Sequence, residues 1–239
     1  MAESTRRTSI GAADKSLRDQ VYEALRERII EGELEPGRRV VERDLAAEFE
    51  VSRVPVREAM QRLETEGFLT TQPRRGALVS PVGVEEAAHF FDVRESLEAL
   101  AASLAAQHAD AAGLRRLEQL LERSRRATEH GRARDVAALN ADFHRQVVIL
   151  SGNPLLQNLM QPLDGRLHRL FRLTARPDDG PLMCGEHEEL FQALRTGDAR
   201  TAARLAGEHV ANTRAAALKI LTDHAAGQEQ RPRTAVSSR

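Results

Sequence analysis

GRRVVERDLAAEFEVSRVPVREAMQRLETEGFLTTQPRRGALV, residues 37–79, is the stretch from which the architecture of this chain follows. Val41 to Phe49 sets Leu45 and Phe49 four residues apart, so one side of a short helix is apolar and Glu42, Arg43 and Glu48 lie off it. Glu50, Val51 and Ser52 make a turn. Ser52 is placed to cap a second helix, with Pro55 in its first turn, where a missing N–H costs nothing. That helix runs to about Glu66, burying Val56, Met60 and Leu63 at spacings of four and three, and Gly67 supplies the left-handed stop. Phe68 to Gln72 and Ala77 to Val79 then read as two short strands around Pro73, Arg74, Arg75 and Gly76.

The outward side of the second helix carries Ser52, Arg53, Arg57 and Gln61. Arginine at a helix N-terminus suits phosphates and guanine edges alike, and a helix of this size fits the major groove. Any one arginine alone would read better as a solvated surface residue beside Glu58 and Glu64. The full order of helix, turn, helix, glycine stop and basic hairpin favours a winged helix that binds DNA. The run from Leu34 to Val79, and VSRVPVREAMQRLETEGFL within it, resembles the DNA-binding domain of GntR-family bacterial transcription regulators. That resemblance implies operator contacts from Arg43, Ser52, Arg53 and Arg57 and from the wing residues Arg75 and Gly76. Val54 stands where many members have threonine.

Two hundred and thirty-nine residues allow one large domain or two modest ones, each able to bury a core. An alphabet of Ala, Leu, Arg and Glu, with no Trp and one Tyr, forms helices and leaves little for strands beyond the wing. No apolar run is long enough to span a membrane, and the first residues lack the apolar core of a signal peptide. Cys184 is the only cysteine, which excludes an internal disulfide and fits a reducing cytoplasm. The net charge is −1, and residues 16–80 carry 11 Lys and Arg against 13 Asp and Glu. DNA affinity must therefore come from arginines clustered on one face, and from two copies acting together.

Residues 1–14 read as a disordered tail. A winged helix-turn-helix domain spans 15–80, beginning with a helix from Ser16 to about Glu31 whose Leu17, Val21, Leu25 and Ile29 face its core. Ser80, Pro81, Val82 and Gly83 break both flanking patterns and mark the boundary. An all-helical bundle follows over 84–223. Its first helix, Val84 to about His108, carries Phe90, Val93, Leu97, Leu100 and Leu104 on one face. The next, to about His130, turns Leu114, Leu117, Leu120 and Leu121 inward. Helices follow over Arg134–Ser151 and Leu155–Leu173, the latter with Arg166, Arg169 and Arg172 on one side. A loop over 174–180 leads to a last pair hinged at Gly197 and Asp198, and residues 225–239 read as a second disordered tail.

Three of the eight histidines agree geometrically. Asn140 and His144 are four apart and project from one helix face. His187 precedes the Gly197 turn by ten residues and His209 follows it by twelve, roughly 15 and 18 Å along their helices. In an antiparallel pair they are nearly level. Three imidazoles converging in a bundle suit Zn²⁺ or a neighbouring transition metal, such as Ni or Mn. Helical histidines are commonly surface or structural residues, so spacing alone leaves the two readings level. Glu186 and Glu208 point elsewhere, to the surface or to a second layer around the histidines.

DVRESLEALAASLAA, LNADFHRQVVILSGNPLL and EHEELFQALRTGDARTAARLAGEHV resemble the FCD effector domain that follows the GntR winged helix. The resemblance implies a divalent metal held by Asn140, His144, His187 and His209, with Asn140 standing where many members have Asp. It also implies a small carboxylate effector beside the metal, met by Arg94, whose alternative is a surface ion pair with Glu98. The expected protein is thus a cytoplasmic, ligand-responsive repressor that binds a palindromic operator as a homodimer, and not an enzyme. A metal-dependent enzyme using the three histidines is the rival from another class. An architectural DNA-binding dimer without an effector is the third reading.

Overall fold

The chain enters its first helix at Ser16, whose hydroxyl accepts the Asp19 N–H at 3.2 Å. In the computed structural model, which describes residues 15–72, 76–174 and 180–229, the chain divides into two compact units at Ser80 and Pro81. The first unit runs α1 (Leu17–Ile30), β1 (Arg39–Val40), α2 (Glu42–Glu48), α3 (Arg53–Thr65), β2 (Leu69–Gln72) and β3 (Gly76–Val79). Leu25, Val56, Ala59, Leu63 and Val79 are completely buried at its centre. Burying such a side chain stabilises the fold by about 1.5–3 kcal/mol. Leu17, expected inside, is 57% exposed. Helical side chains lean toward the N-terminus, and at the first residue that direction leads off the helix into solvent.

The wing is a three-stranded antiparallel sheet of order β1-β3-β2, where the sequence had suggested a two-stranded hairpin. Arg39 and Val40 pair with Leu78 and Ala77, a segment too short to show alternation. Gly76 opens β3 at φ 82°, and a Cβ there would stand 3.2 Å from the Val40 carbonyl oxygen. The strand crossing therefore needs glycine at this position. Ser52 occupies the N-cap of α3 in extended conformation, but its side chain makes no capping hydrogen bond. The hydroxyl thus does not perform the capping that the sequence suggested.

The second unit is helical among its described residues: α4 (Val84–His108), α5 (Ala111–Glu129), α6 (Ala133–Leu150), α7 (Pro154–Thr174), α8 (Gly180–Thr196) and α9 (Ala199–Glu229). Helix α4 lies along α9 and also packs on α6. Its inner face is Ala87, Phe90, Phe91, Arg94, Glu98, Ala101 and Ala105; of the row the sequence suggested, Phe90 lies inside and the large aliphatics do not. Val93 is 49% and Leu100 47% exposed. Alanines let two helix backbones approach closely, and the bulkier stripe is displaced to the flank, where Leu97 and Leu104 are partly covered. On α5, Leu117 and Leu121 are buried while Leu114 and Leu120 are only partly so. The three arginines of α7 do not share one exposed side: Arg169 is buried, and Arg166 lies 3.5 Å from Glu86.

Gly197 at φ 74° ends α8, and the Asp198 carboxylate accepts the Thr201 N–H at 3.0 Å to start α9. Helix α9 continues to Glu229, so residues 225–229 are helical where a tail was expected. The remaining tail residues, the arginine tip of the wing with Arg75, and the interior of the 174–180 loop lie outside the described residues. Among those described, no helix is long and apolar enough to cross a membrane.

Candidate metal centre and DNA-reading face

Four helices of the second unit converge on one buried point. Helix α6 supplies Asn140 and, one turn later, His144; α8 supplies His187, α9 supplies His209, and α4 brings Arg94 and Glu98. One ring nitrogen from each histidine lies within 4.8 Å of the other two, and all three rings are buried. His209 Nε2 is 3.2 Å from His144 Nε2 and 3.4 Å from His187 Nε2. Two nitrogens bound at about 2.0–2.1 Å around a tetrahedral ion stand about 3.3–3.4 Å apart, so these spacings fit a first-row divalent metal.

The outer nitrogens explain why the inner ones converge. Glu98 Oε2 accepts His144 Nδ1–H at 2.8 Å, and Glu186 Oε2 accepts His209 Nδ1–H at 2.6 Å. Each carboxylate puts the proton on Nδ1 and turns the Nε2 lone pair inward, the arrangement commonly found behind metal-bound imidazoles. Asn212 donates to the other Glu186 oxygen at 2.7 Å. His187 is held differently, stacked on Phe143 with centroids 4.3 Å apart. Inward nitrogens of this kind are what a divalent cation binds. Asn140 points the same way: it is 2% exposed, and both its Oδ1 and Nδ2 lack a hydrogen-bond partner. A buried polar atom left so costs about 1–3 kcal/mol, which an ion on Oδ1 would offset. The residues fit a divalent metal.

Burial favours the neutral form of His144 and His187. Desolvation pushes His144 down to about 4 against the opposing pull of Glu98, and pushes His187 well below the ordinary imidazole value. Burial alone would raise the Glu98 carboxyl, but the Arg94 charge and His144 hold it well below the usual carboxylate range. The unfolded chain therefore binds more protons than the folded chain once the pH falls below about 6.5. Metal-free protein should lose about 1.4 kcal/mol of stability per pH unit for each such proton, from about pH 6.5 down to about 4, with Glu98 extending the loss below its unfolded value. Urea midpoints of chelator-treated protein at pH 7.5 and 5.0 measure this. A midpoint unchanged or higher at pH 5.0 would contradict buried neutral histidines.

On the first unit, Arg43 sits on α2 with its side chain exposed and 3.0 Å from Asp44. Ser52 and Arg53 are exposed at the start of α3. Arg57, one turn on, is held by Glu42 through contacts of 2.9–3.2 Å, which raise its affinity for a proton and lower that of Glu42. Glu42 thus partly neutralises the face while fixing where Arg57 points. Val54 is 59% exposed there; an apolar side chain can touch a thymine methyl but offers no hydrogen bond. Arg43, Ser52, Arg53 and Arg57 all belong to α2, α3 or the turn between them, and Gly76 opens β3, where its role is steric.

Spacing had brought the three histidines together as one of two readings, the family resemblance had added Asn140, and Glu186 had been read as either a surface residue or a partner behind the histidines. Arg94 and Glu98 do pair, yet the pair is buried at 1% and 4% exposure, not on the surface, and Glu98 also holds His144. The signal was present: both fall in register with Ala87, Phe91, Ala101 and Ala105. Glu186 is a second-layer partner of His209, whereas Glu208 pairs with Arg204 at 2.6 Å. Phe143 and Asn212 carried no sequence signal of their own.

Comparison with known proteins covers both units. The family described as bacterial regulatory proteins, gntR family, matches residues 17–79, and the FCD domain matches residues 89–212. The HTH-type transcriptional regulator YdhC of Bacillus subtilis (strain 168) is 32% identical over 74% of this chain and 80% of its own. The HTH-type transcriptional repressor RspR of Escherichia coli (strain K12) is 27% identical over 80% and 84%. Among solved structures, E. coli McbR/YncC superposes with a TM-score of 0.74 at 26% identity, covering 89% of this chain and all of that one. A GntR regulator from Rhodococcus sp. RHA1 gives 0.73 at 24% identity over 86% and 99%, a likeness of fold.

Proposed function

Since the chain belongs to the gntR family of bacterial regulatory proteins, with an FCD domain behind its DNA-binding domain, we propose that it is a metal-loaded sensor of a small carboxylate that represses transcription. It is a DNA-binding transcription regulator, and its family is one of regulators, not of enzymes. In the proposed reading, two copies bind a palindromic operator, each laying α3 in a major groove with Arg43, Ser52, Arg53, Arg57, Arg75 and Gly76 at the DNA. Domain limits of 15–80 for DNA reading and 84–223 for sensing and pairing go with it. The similar RspR is described as a repressor, which supports that direction.

The observation that carries the sensor reading is the convergence of three buried imidazoles on a point beside an orphaned Asn140 and a buried Arg94. Asn140, His144, His187 and His209 would hold Zn, or Ni or Mn. When bound, the ion supplies a Lewis-acidic point charge for one carboxylate oxygen. Arg94, whose Nη1 lacks a hydrogen-bond partner, is placed to take the other. Phe171 lies beside the His144 ring and under the Arg94 guanidinium, whose carbon is 5.1 Å from the Phe171 ring centroid. An acid that prefers one arrangement of the bundle shifts the DNA-binding equilibrium by its difference in affinity for the two states.

Metal analysis of the purified protein, then a melting screen of small carboxylates with and without chelator, tests the proposal. The expected result is a stoichiometric divalent metal and one acid that stabilises the protein only while the metal is present. The same acid should release the protein from its DNA. Metal without any responsive acid would favour a DNA-binding dimer whose bundle only assembles. Neither metal nor acid would overturn the sensor reading.

A further inference from the structure

Glu98 is shared by two groups with different tasks. One carboxylate oxygen takes Arg94 Nε–H and the other takes His144 Nδ1–H. The same guanidinium then reaches across the site, its Nη2 lying 3.0 Å from His144 Nε2. With the Nδ1 proton given to Glu98, that Nε2 carries a lone pair, so Arg94 donates to it. This is the lone pair a metal would need. An sp² nitrogen has one in-plane lone pair, and it cannot serve an N–H donor and an ion together. Arg94 Nη1 meanwhile has no hydrogen-bond partner, although the side chain is 1% exposed.

We infer that Arg94 competes with the metal for the inward nitrogen of His144, with Glu98 as the positioning residue that holds Arg94 and His144 in place. The inference rests on the metal reading proposed above. Without an ion, Arg94 fills the vacant acceptor and keeps the cavity's charge balanced against Glu98. With His144 Nε2 taken, the guanidinium is left with two N–H groups directed into the site, the fork a carboxylate pairs with. An anion drawn onto that fork removes the competitor from His144. Cation and anion therefore bind with positive coupling, and by linkage each strengthens the other equally. Glu98 keeps Arg94 at hand throughout, because its oxygen on Nε is not part of the exchange.

Opposite signs for two substitutions test this, using zinc alone as probe. Zinc affinity is measured by competition with a chromophoric chelator in anion-poor buffer, with folding checked by circular dichroism. Arg94→Met removes the competitor and its charge, so zinc should bind at least about tenfold more tightly than to wild type. Glu98→Gln removes the charge behind His144 Nδ1, so zinc should bind about 10- to 100-fold more weakly. Because Arg94→Met leaves a buried carboxylate short of a partner, Arg94→Lys is the second variant. It keeps the charge beside Glu98 but lacks the planar, spread N–H groups with which the guanidinium spans Glu98 and His144, and it should also tighten zinc, by less. A merely structural role would weaken zinc in every variant. Wild type that binds zinc while neither Arg94 variant gains affinity overturns the competition and leaves the metal reading standing. Wild type that binds no zinc overturns both.

Discussion

Replacing Arg53 by alanine is expected to weaken DNA binding about 30-fold to 10⁴-fold while leaving the fold intact. Arg53 is the first residue of α3 and is exposed, so its side chain contributes little to packing. A positive charge at a helix N-terminus is mildly unfavourable to the helix itself, and the change in stability should stay within about 0.5 kcal/mol. Its position is therefore better explained by what it meets outside the protein. A good bidentate contact to a base is worth about 1–3 kcal/mol. Two copies on a palindromic site lose it twice, which gives about 2–6 kcal/mol, at tenfold per 1.4 kcal/mol. The experiment is a binding titration on DNA selected by the wild-type protein, repeated at several salt concentrations. Loss of a base contact relaxes the sequence preference at that position, while loss of a phosphate contact lowers the salt slope by about one per copy. Affinity within threefold of wild type would remove α3 from the groove. Arg57→Ala is the less clean comparison, because Glu42 already occupies that guanidinium.

The winged helix was legible because its signals are local. Gly67 and Gly76 mark backbone that turns left-handed, at φ 77° and 82°, and the apolar spacing of α3 gave Val56, Met60 and Leu63 directly. What failed there were properties of tertiary contact: the two residues of β1, visible only through pairing with β3, and the Ser52 hydroxyl, which makes no capping bond. In the bundle, helix limits were read within a few residues because Gly152, Gly197 and Pro154 punctuate the chain. The inner face of α4 was misread because large aliphatics were taken as core. Alanines at 101, 102 and 105 and the Arg94–Glu98 pair are inside instead, leaving Val93 and Leu100 half out. Patterning by large hydrophobic residues passes over a buried ion pair, although the register of the small buried residues on the same face marks it. Convergence of His187 and His209 followed from counting residues to a turn, and Glu186 was one of two candidates for a partner behind the rings, but Glu98, which aims His144, becomes evident only when four helices are assembled.

Changing His144 and His187 together to alanine should abolish the metal-dependent part of the protein's stability. An ion present at a thousand times its dissociation constant stabilises the state that binds it by about 4 kcal/mol. For a domain of this size that raises Tm by roughly 8–16 °C. The double variant removes two of three imidazole ligands, a loss larger than the 10- to 100-fold expected for an outer partner such as Glu98, so metal should give almost no shift. Baseline stability will move as well. Alanine at 187 empties a buried site stacked on Phe143, at a cost of about 1–3 kcal/mol. Alanine at 144 leaves Glu98 with Arg94 as its remaining partner. For that reason the informative quantity is the difference in Tm with and without metal, not either value alone. Asn140→Asp supplies the opposite control: it adds a negative charge one helical turn from His144, and the metal-dependent shift should grow. A double variant that kept both metal and acid response would mean that the ion lies elsewhere.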